Sequence, residues 1–151
     1  MDMLTALALS IGILIALWVK VGTMASLLVP AGIVAWACFF AAGGKMGGLQ
    51  KTIASNLSGV VWVWVANMLI GAMGMGSWAW VIIGVVAFIL VLQSKVPTLS
   101  FIPGAFCGAA VTAWAAPAAP LGYVMVAVAL VAGAVLGYVS EMGAGMIAKK
   151  A

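Results

Sequence analysis

The sequence predicts an all-α polytopic membrane protein. It reads as a single transmembrane domain, residues 1–151, of about six helices, and the segments before the third and fifth helices are candidates for re-entrant or broken backbone. Three observations carry this reading. Hydrophobic residues make up 68% of the chain and charged residues only 5%, against about 25% charged in a typical soluble domain. Six basic and two acidic side chains cannot coat a water-facing surface of this size, and the mean hydropathy is +1.36. Breaks rich in glycine, proline and lysine divide the chain into apolar runs close to the ~20 residues that cross a bilayer.

The first helix is predicted over residues 3–19, with Lys20 ending it. It follows Asp2 directly, lacks a basic leader and shows no small-residue cleavage site, so it reads as a retained span. The second covers 23–42; Pro30 lies inside it and either kinks it or marks its first turn. Gly43-Gly44-Lys45-Met46-Gly47-Gly48 is the first clear break. The polar-apolar mixture 49–59 then precedes a third helix that continues to about residue 72. A glycine-rich turn, 71–77, leads into a fourth helix at 78–92.

Residues 93–108, Q-S-K-V-P-T-L-S-F-I-P-G-A-F-C-G, place a lysine, two prolines and three hydroxyls beside Val96, Leu99, Phe101, Ile102 and Phe106. That mixture predicts irregular backbone returning into an apolar phase, which lipid tolerates only where protein buries it or water lies beside it. The fifth helix is expected at 101–116, stopped by Pro117 and Pro120. Sixteen residues at ~1.5 Å each reach about 24 Å, short of a ~30 Å hydrocarbon core. Either residues 96–100 also enter the membrane, or they form a plain turn before a tilted helix. The sixth helix is expected at 121–139, followed by a short basic tail.

Lysine placement gives an orientation. Six crossings put Lys45, Lys51, Lys95, Lys149 and Lys150 on the side of both termini and only Lys20 opposite. The positive-inside rule then makes both termini cytoplasmic. Trp18, Trp78, Trp80 and Trp114 fall near the opposite ends, where an interfacial aromatic belt is expected. A shift of 45 residues lays 55–59 over 100–104, suggesting a parallel repeat in which serines cap two helix starts.

The ionisable inventory excludes much. Histidine and arginine are absent, and Asp2 and Glu141 are the only carboxylates. General acid–base catalysis, metal ligation and an intramembrane acidic relay all draw on those types, so neither an enzyme, a cofactor nor a metal site is expected. Glu141 reads as a solvated end-of-helix carboxylate. Cys38 and Cys107 read as small buried hydrophobes. Asn67 is a lone intramembrane amide expected to bond a neighbouring helix.

What remains is neutral and polar. Gln50, Thr52, Ser55, Asn56 and Ser58 form one group; Gln93, Ser94, Thr98 and Ser100 form a second. The solute-path candidates are Thr52, Ser55, Asn56, Ser58, Gln93, Lys95, Thr98, Ser100 and Gly104. Free N–H groups at a buried fifth-helix start would face a polar ligand. Lys51 and Lys95 either attract anions or snorkel to headgroups. Gly104-x-x-x-Gly108 and Gly133-x-x-x-Gly137 allow close helix approach within one chain or between subunits.

Ser58-Gly59-Val60-Val61-Trp62, together with Gln93-x-Lys95-x-x-x-Leu99-Ser100-Phe101-Ile102-Pro103-Gly104-x-Phe106-x-Gly108, resembles the domain of unknown function 1097 family. The resemblance covers nearly the whole chain in length and helix order. It implies a small bacterial inner-membrane protein of five or six helices and transfers no catalytic residue.

The expected function is a channel or facilitator for a small uncharged or weakly polar solute, urea-like or amide-like. Alternatives are a non-transporting component that assembles with a partner protein, and a small-anion transporter using Lys51 and Lys95. The expected partners are the lipid bilayer, the solute and further copies of the chain, with no nucleic acid.

Overall fold

In the computed structural model, which describes residues 1–74 and 76–148, helix α1 (Met3–Met24) starts on an Asp2 cap. Asp2 Oδ1 accepts from the Thr5 N–H at 3.0 Å, filling one of the orphan donors of a helix start. Lys20 does not end this helix. The residues that follow it include no proline, and Thr23 Oγ1 donates back to the Val19 carbonyl at 2.7 Å, so the helix runs on to Met24. The chain reverses over 25–28, and Pro30 sits in the first turn of α2 (Val29–Ala41). Of the two roles expected for Pro30, it has the second.

Gly43 and Gly44, at φ +97° and +65°, turn the chain into α3 (Lys45–Met73). This 29-residue helix is continuous, so the segment before the expected third helix is not broken and Ser55 caps nothing. No proline interrupts 45–73, and the polar residues of 49–59 remain within the helix. Its start is held by another helix: Glu141 Oε2 accepts from the Lys45 N–H at 2.7 Å. Glu141 is therefore a structural cap, a carboxylate at a helix N-terminus where the dipole favours it. Glu141→Gln should lower stability by about 1 kcal/mol, read as a lower Tm in detergent.

A single 3-10 turn (Gly76–Trp78) precedes α4 (Ala79–Leu92). Two more, at Gln93–Lys95 and Pro97–Leu99, lead to α5 (Ile102–Ala115), and α6 (Pro120–Ile147) closes the fold. The irregular stretch expected before the fifth helix is present, whereas α6 continues well past 139. Lys149 and Lys150, two of the orienting lysines, lie outside the described residues. Among the described residues, four segments are long and apolar enough to span a membrane: Met3–Met24, Lys45–Met73, Gly76–Lys95 and Pro120–Ile147. The other two helices, α2 and α5, have 13 and 14 residues.

These lengths repeat. A shift of 73 positions lays α2 on α5, a shift of 74 lays α3 on α6, and one of 72 lays α1 on Gly76–Lys95. Pro30 then falls on Pro103, both in the first turn of a short helix. The packing repeats too. A Cβ on Gly133 of α6 would collide with the Gly32 carbonyl of α2, and one on Gly59 of α3 with the Ala105 carbonyl of α5. Gly59 and Gly133 are themselves 74 positions apart and sit at the middles of the two long helices. Gly32 and Ala105 are each the fourth residue of a short one.

The chain is thus two three-helix halves, each donating its short helix to the long helix of the other. This replaces the 45-residue repeat, which pairs a helix of 29 residues with one of 14. With all three helices of each half counted as crossings, as the sequence predicts, the second half is inverted relative to the first.

The two halves pack differently. Trp18 is buried, and its Nε1–H donates to the Val29 carbonyl at 3.0 Å. Trp36 Nε1–H donates to Ser140 Oγ at 3.1 Å. Both belong to the main apolar core with Ala31, Ala35, Val60, Val126 and Leu130. In the second half Leu90 and Ala109 take the places of Trp18 and Trp36 and pack with Ala66, Val86 and Ala105. Trp78, Trp80 and Trp114 are exposed, as an aromatic belt requires.

Candidate functional site

Thr52, Ser55, Asn56 and Gly59 recur at the i, i+3, i+4, i+7 spacing that puts them on one face of α3. All four are buried, and Thr52, Ser55 and Asn56 are 0–1% exposed. Across from them lies α5. An added Cβ on Gly104 would lie 3.2 Å from Ser55 Cβ, and one on Gly108 would collide with the Asn56 backbone. Gly104 and Gly108, which lack side chains, let α5 cover the polar face so closely.

The covering leaves the polar groups unpaired. Thr52 Oγ1, Ser55 Oγ, Asn56 Nδ2 and Asn56 Oδ1 are buried without a hydrogen-bond partner. Two other buried hydroxyls behave differently. Thr112 Oγ1 donates to the Gly108 carbonyl at 2.7 Å, and Ser140 Oγ donates to Gly137 while accepting from Trp36. An unsatisfied buried group costs about 1–3 kcal/mol, so three such side chains are a standing penalty of several kcal/mol. Asn56 is three residues from the middle of α3, about 4.5 Å along its axis. A 29-residue helix reaches about 43 Å, so one centred on a ~30 Å core holds Asn56 near the midplane.

The same geometry places the α5 start. From Ala105 to the end of α5 is about ten residues, or ~15 Å, half the thickness of the hydrocarbon core. With α3 centred in this way, a helix that crosses its middle at the fourth residue starts within the hydrocarbon core. Its first N–H groups are not free, however. Ile102 N–H donates to Ser100 O at 3.1 Å, Gly104 N–H to Phe101 O at 3.1 Å, and Pro103 has none. The expected ring of open N–H donors is absent because the preceding 3-10 turn supplies local carbonyls.

Of the residues singled out in the sequence, Thr52, Ser55, Asn56 and Gly104 meet at this contact. Ser58 and Gln93 meet beside it: Gln93 Nε2 donates to Ser58 Oγ at 2.8 Å, and Ser58 donates to Ser55 O at 2.7 Å. Trp62, missed in the sequence, completes this set by donating to Gln93 Oε1 at 3.2 Å. It follows Ser58 by four residues, the spacing that shares a helix face. Gln93 thereby ties the end of α4 to α3, and Gln93→Ala should lower Tm by the loss of about two hydrogen bonds, roughly 1–3 kcal/mol.

The structure does not bring Lys95, Thr98 or Ser100 to the cluster; all three are exposed. Ser100 Oγ donates to Pro97 O at 2.8 Å, and the residue at the cap position of α5 is Phe101. Ser100 therefore closes the 3-10 turn instead of capping the helix. Lys51 is exposed although Thr52 is buried, since neighbours in sequence point to different sides of a helix. Asn67 Nδ2 donates to Tyr123 Oη at 2.9 Å, tying α3 to α6 as expected.

Six apolar helices, four of spanning length, around a buried uncharged polar cluster define a polytopic integral membrane protein. The chain belongs to the family described as "Protein of unknown function (DUF1097)", whose model matches residues 8–145. Over 116 residues it is 38% identical to the Inner membrane protein YcdZ of Escherichia coli (strain K12), covering 74% of this chain and 70% of that one. It is 33% identical over 155 residues to the Uncharacterized protein YahC of the same strain, covering 95% and 92%. The Salmonella typhimurium Inner membrane protein YcdZ is 34% identical over 116 residues, covering 74% and 71%. No solved structure matches.

Proposed function

We propose that this protein is an inner-membrane facilitator for a small uncharged or weakly polar solute of the urea or amide type. The observation that carries the reading is the set of four unpaired polar atoms at Thr52, Ser55 and Asn56. A carboxamide offers donors and acceptors together, and each hydroxyl offers both. The natural complement is a neutral molecule with both kinds of group on a small frame. An anion supplies acceptors only and would leave Asn56 Oδ1 unpaired. Its alternative anchors, Lys51 and Lys95, are exposed away from the cluster.

Solute-dependent swelling of proteoliposomes tests the reading, with empty vesicles as control. Lys95→Gln should leave the neutral-solute rate nearly unchanged; anion flux in the parent that this variant weakens would favour the anion path. Failure of the whole panel, neutral solutes and small anions alike, would favour a non-transporting component.

The remaining properties follow from the same frame. The inventory supplies no acid–base set, so the reading is of a non-enzyme needing no cofactor. Both termini face the cytoplasm: a cysteine introduced at Lys149 should resist periplasmic labelling in intact cells. Short, glycine-rich helices enclose little volume, which favours a homo-oligomer, a dimer or trimer; a mass in mild detergent matching one chain contradicts that.

A further inference from the structure

We propose that the protein is a carrier whose two inverted halves exchange packing arrangements, opening one polar site to each side of the membrane in turn, and not a continuous pore. The inference rests on the facilitator reading above and adds its mechanism and the place of its site.

Three observations support it. First, the six crossings predicted from the sequence make equivalent helices of the two three-helix halves run in opposite directions. Any opening that α1–α3 makes toward one face therefore has a counterpart that α4–α6 makes toward the other. Two states related in this way reuse the same pair of helix crossings, which is the arrangement that alternating access requires.

Second, the two central helix crossings are tightly closed. Both long-helix midpoints are closed by backbone, with Gly59 against Ala105 and Gly133 against Gly32. The polar cluster, three to seven residues from one of those closures, is 0–1% exposed. A static pore must keep its polar wall wet; here the wall is shut in, its hydrogen bonds unmade. Backbone contacts between glycines can separate without dragging interlocked side chains, which suits them to a contact that opens and closes.

Third, the halves are unequal where the site lies. Under the 74-position shift, Thr52, Ser55 and Asn56 correspond to Val126, Ala129 and Leu130, all buried in the apolar core. The α2–α6 contact is further held by Trp36 on Ser140. The α3–α5 contact has Ala109 and Ala66 at those places. One polar site thus lies on one of two otherwise equivalent contacts, each of which joins the two halves. Between the halves, Val34 of α2 and Val111 of α5 line one groove.

Counterflow separates a carrier from a pore. Proteoliposomes loaded with unlabelled acetamide are diluted into trace radiolabelled acetamide. A carrier returns its site loaded with label while unlabelled solute leaves, so label should rise several-fold above its equilibrium level and then decay. Ser55→Ala should reduce that overshoot. Uptake above empty vesicles without overshoot, rising linearly with concentration, overturns the carrier and leaves the facilitator reading standing. No uptake above empty vesicles for acetamide, urea or glycerol overturns both.

Discussion

Gly133→Leu will prevent the bundle from assembling. A Cβ at Gly133 meets not a side chain that can turn aside but the carbonyl, carbonyl carbon and Cα of Gly32. Ordinary overpacking costs about 1–3 kcal/mol because rotamers absorb part of it; here two helix axes must move apart at the middle of α6. The expected result is loss of monodisperse protein after extraction in mild detergent. Gly108→Leu, which drives a side chain into the Asn56 backbone, should do the same. Gly104→Leu should be milder, near 1–3 kcal/mol, because the atoms it meets first belong to the Phe101 ring, which can shift. Gly84→Ala makes the opposite case. Nothing lies within 4 Å of its Cβ position, and the gain in helix propensity should raise stability by up to about 1 kcal/mol. Equal damage at all four positions would mean that the crossings are not where the packing is decided.

Asn56→Leu should separate folding from transport. In the closed structure both polar atoms of Asn56 are buried and unpaired. An apolar side chain of similar size removes that penalty, so the variant should be at least as stable as the parent, by about 1–3 kcal/mol at most. If the amide holds solute, flux should nonetheless fall at least tenfold, the equivalent of about 1.4 kcal/mol at the barrier. Thr52→Val should behave in the same direction with a smaller loss. A destabilised Asn56→Leu would instead show that the amide has a structural partner, and the site would have to be sought elsewhere.

Much of the fold was legible in the sequence because its apolar runs are long and its breaks are chemical. Gly43-Gly44, Pro30, and Pro117 with Pro120 each bound a helix as their backbone preferences require, and Asn67 found the neighbouring helix that an intramembrane amide needs. The errors have a common cause. Lys20 and residues 49–59 are polar, and polarity inside an apolar run looks like an interruption; a helix continues through it when the side chains reach backbone, another helix or the outside. The inverted repeat stayed hidden because the halves share backbone pattern more than side chains. Trp36 corresponds to Ala109 and Asn56 to Leu130, so only short-helix length, Pro30 with Pro103, and the glycines at the long-helix midpoints carry the relation.

The candidate site was legible in part, for a similar reason. Thr52, Ser55 and Asn56 stood out as hydrogen-bonding groups in an apolar chain, and their spacing gave one face. Ser100 and Lys95 stood out equally and lie outside the cluster, because a 3-10 turn absorbs the serine and the lysine points away. Trp62 could have been paired with Ser58 by spacing, but only the fold brings Gln93 to both.

The most direct measurement of the central claim is stopped-flow swelling of proteoliposomes in urea, acetamide and glycerol, with parent and Asn56→Leu protein reconstituted at equal density. The account predicts swelling above empty vesicles for the parent in at least one of these solutes, lost in Asn56→Leu although that variant is folded and no less stable. Swelling equal to that of empty vesicles in every solute, or an unchanged rate in a folded Asn56→Leu, would contradict it.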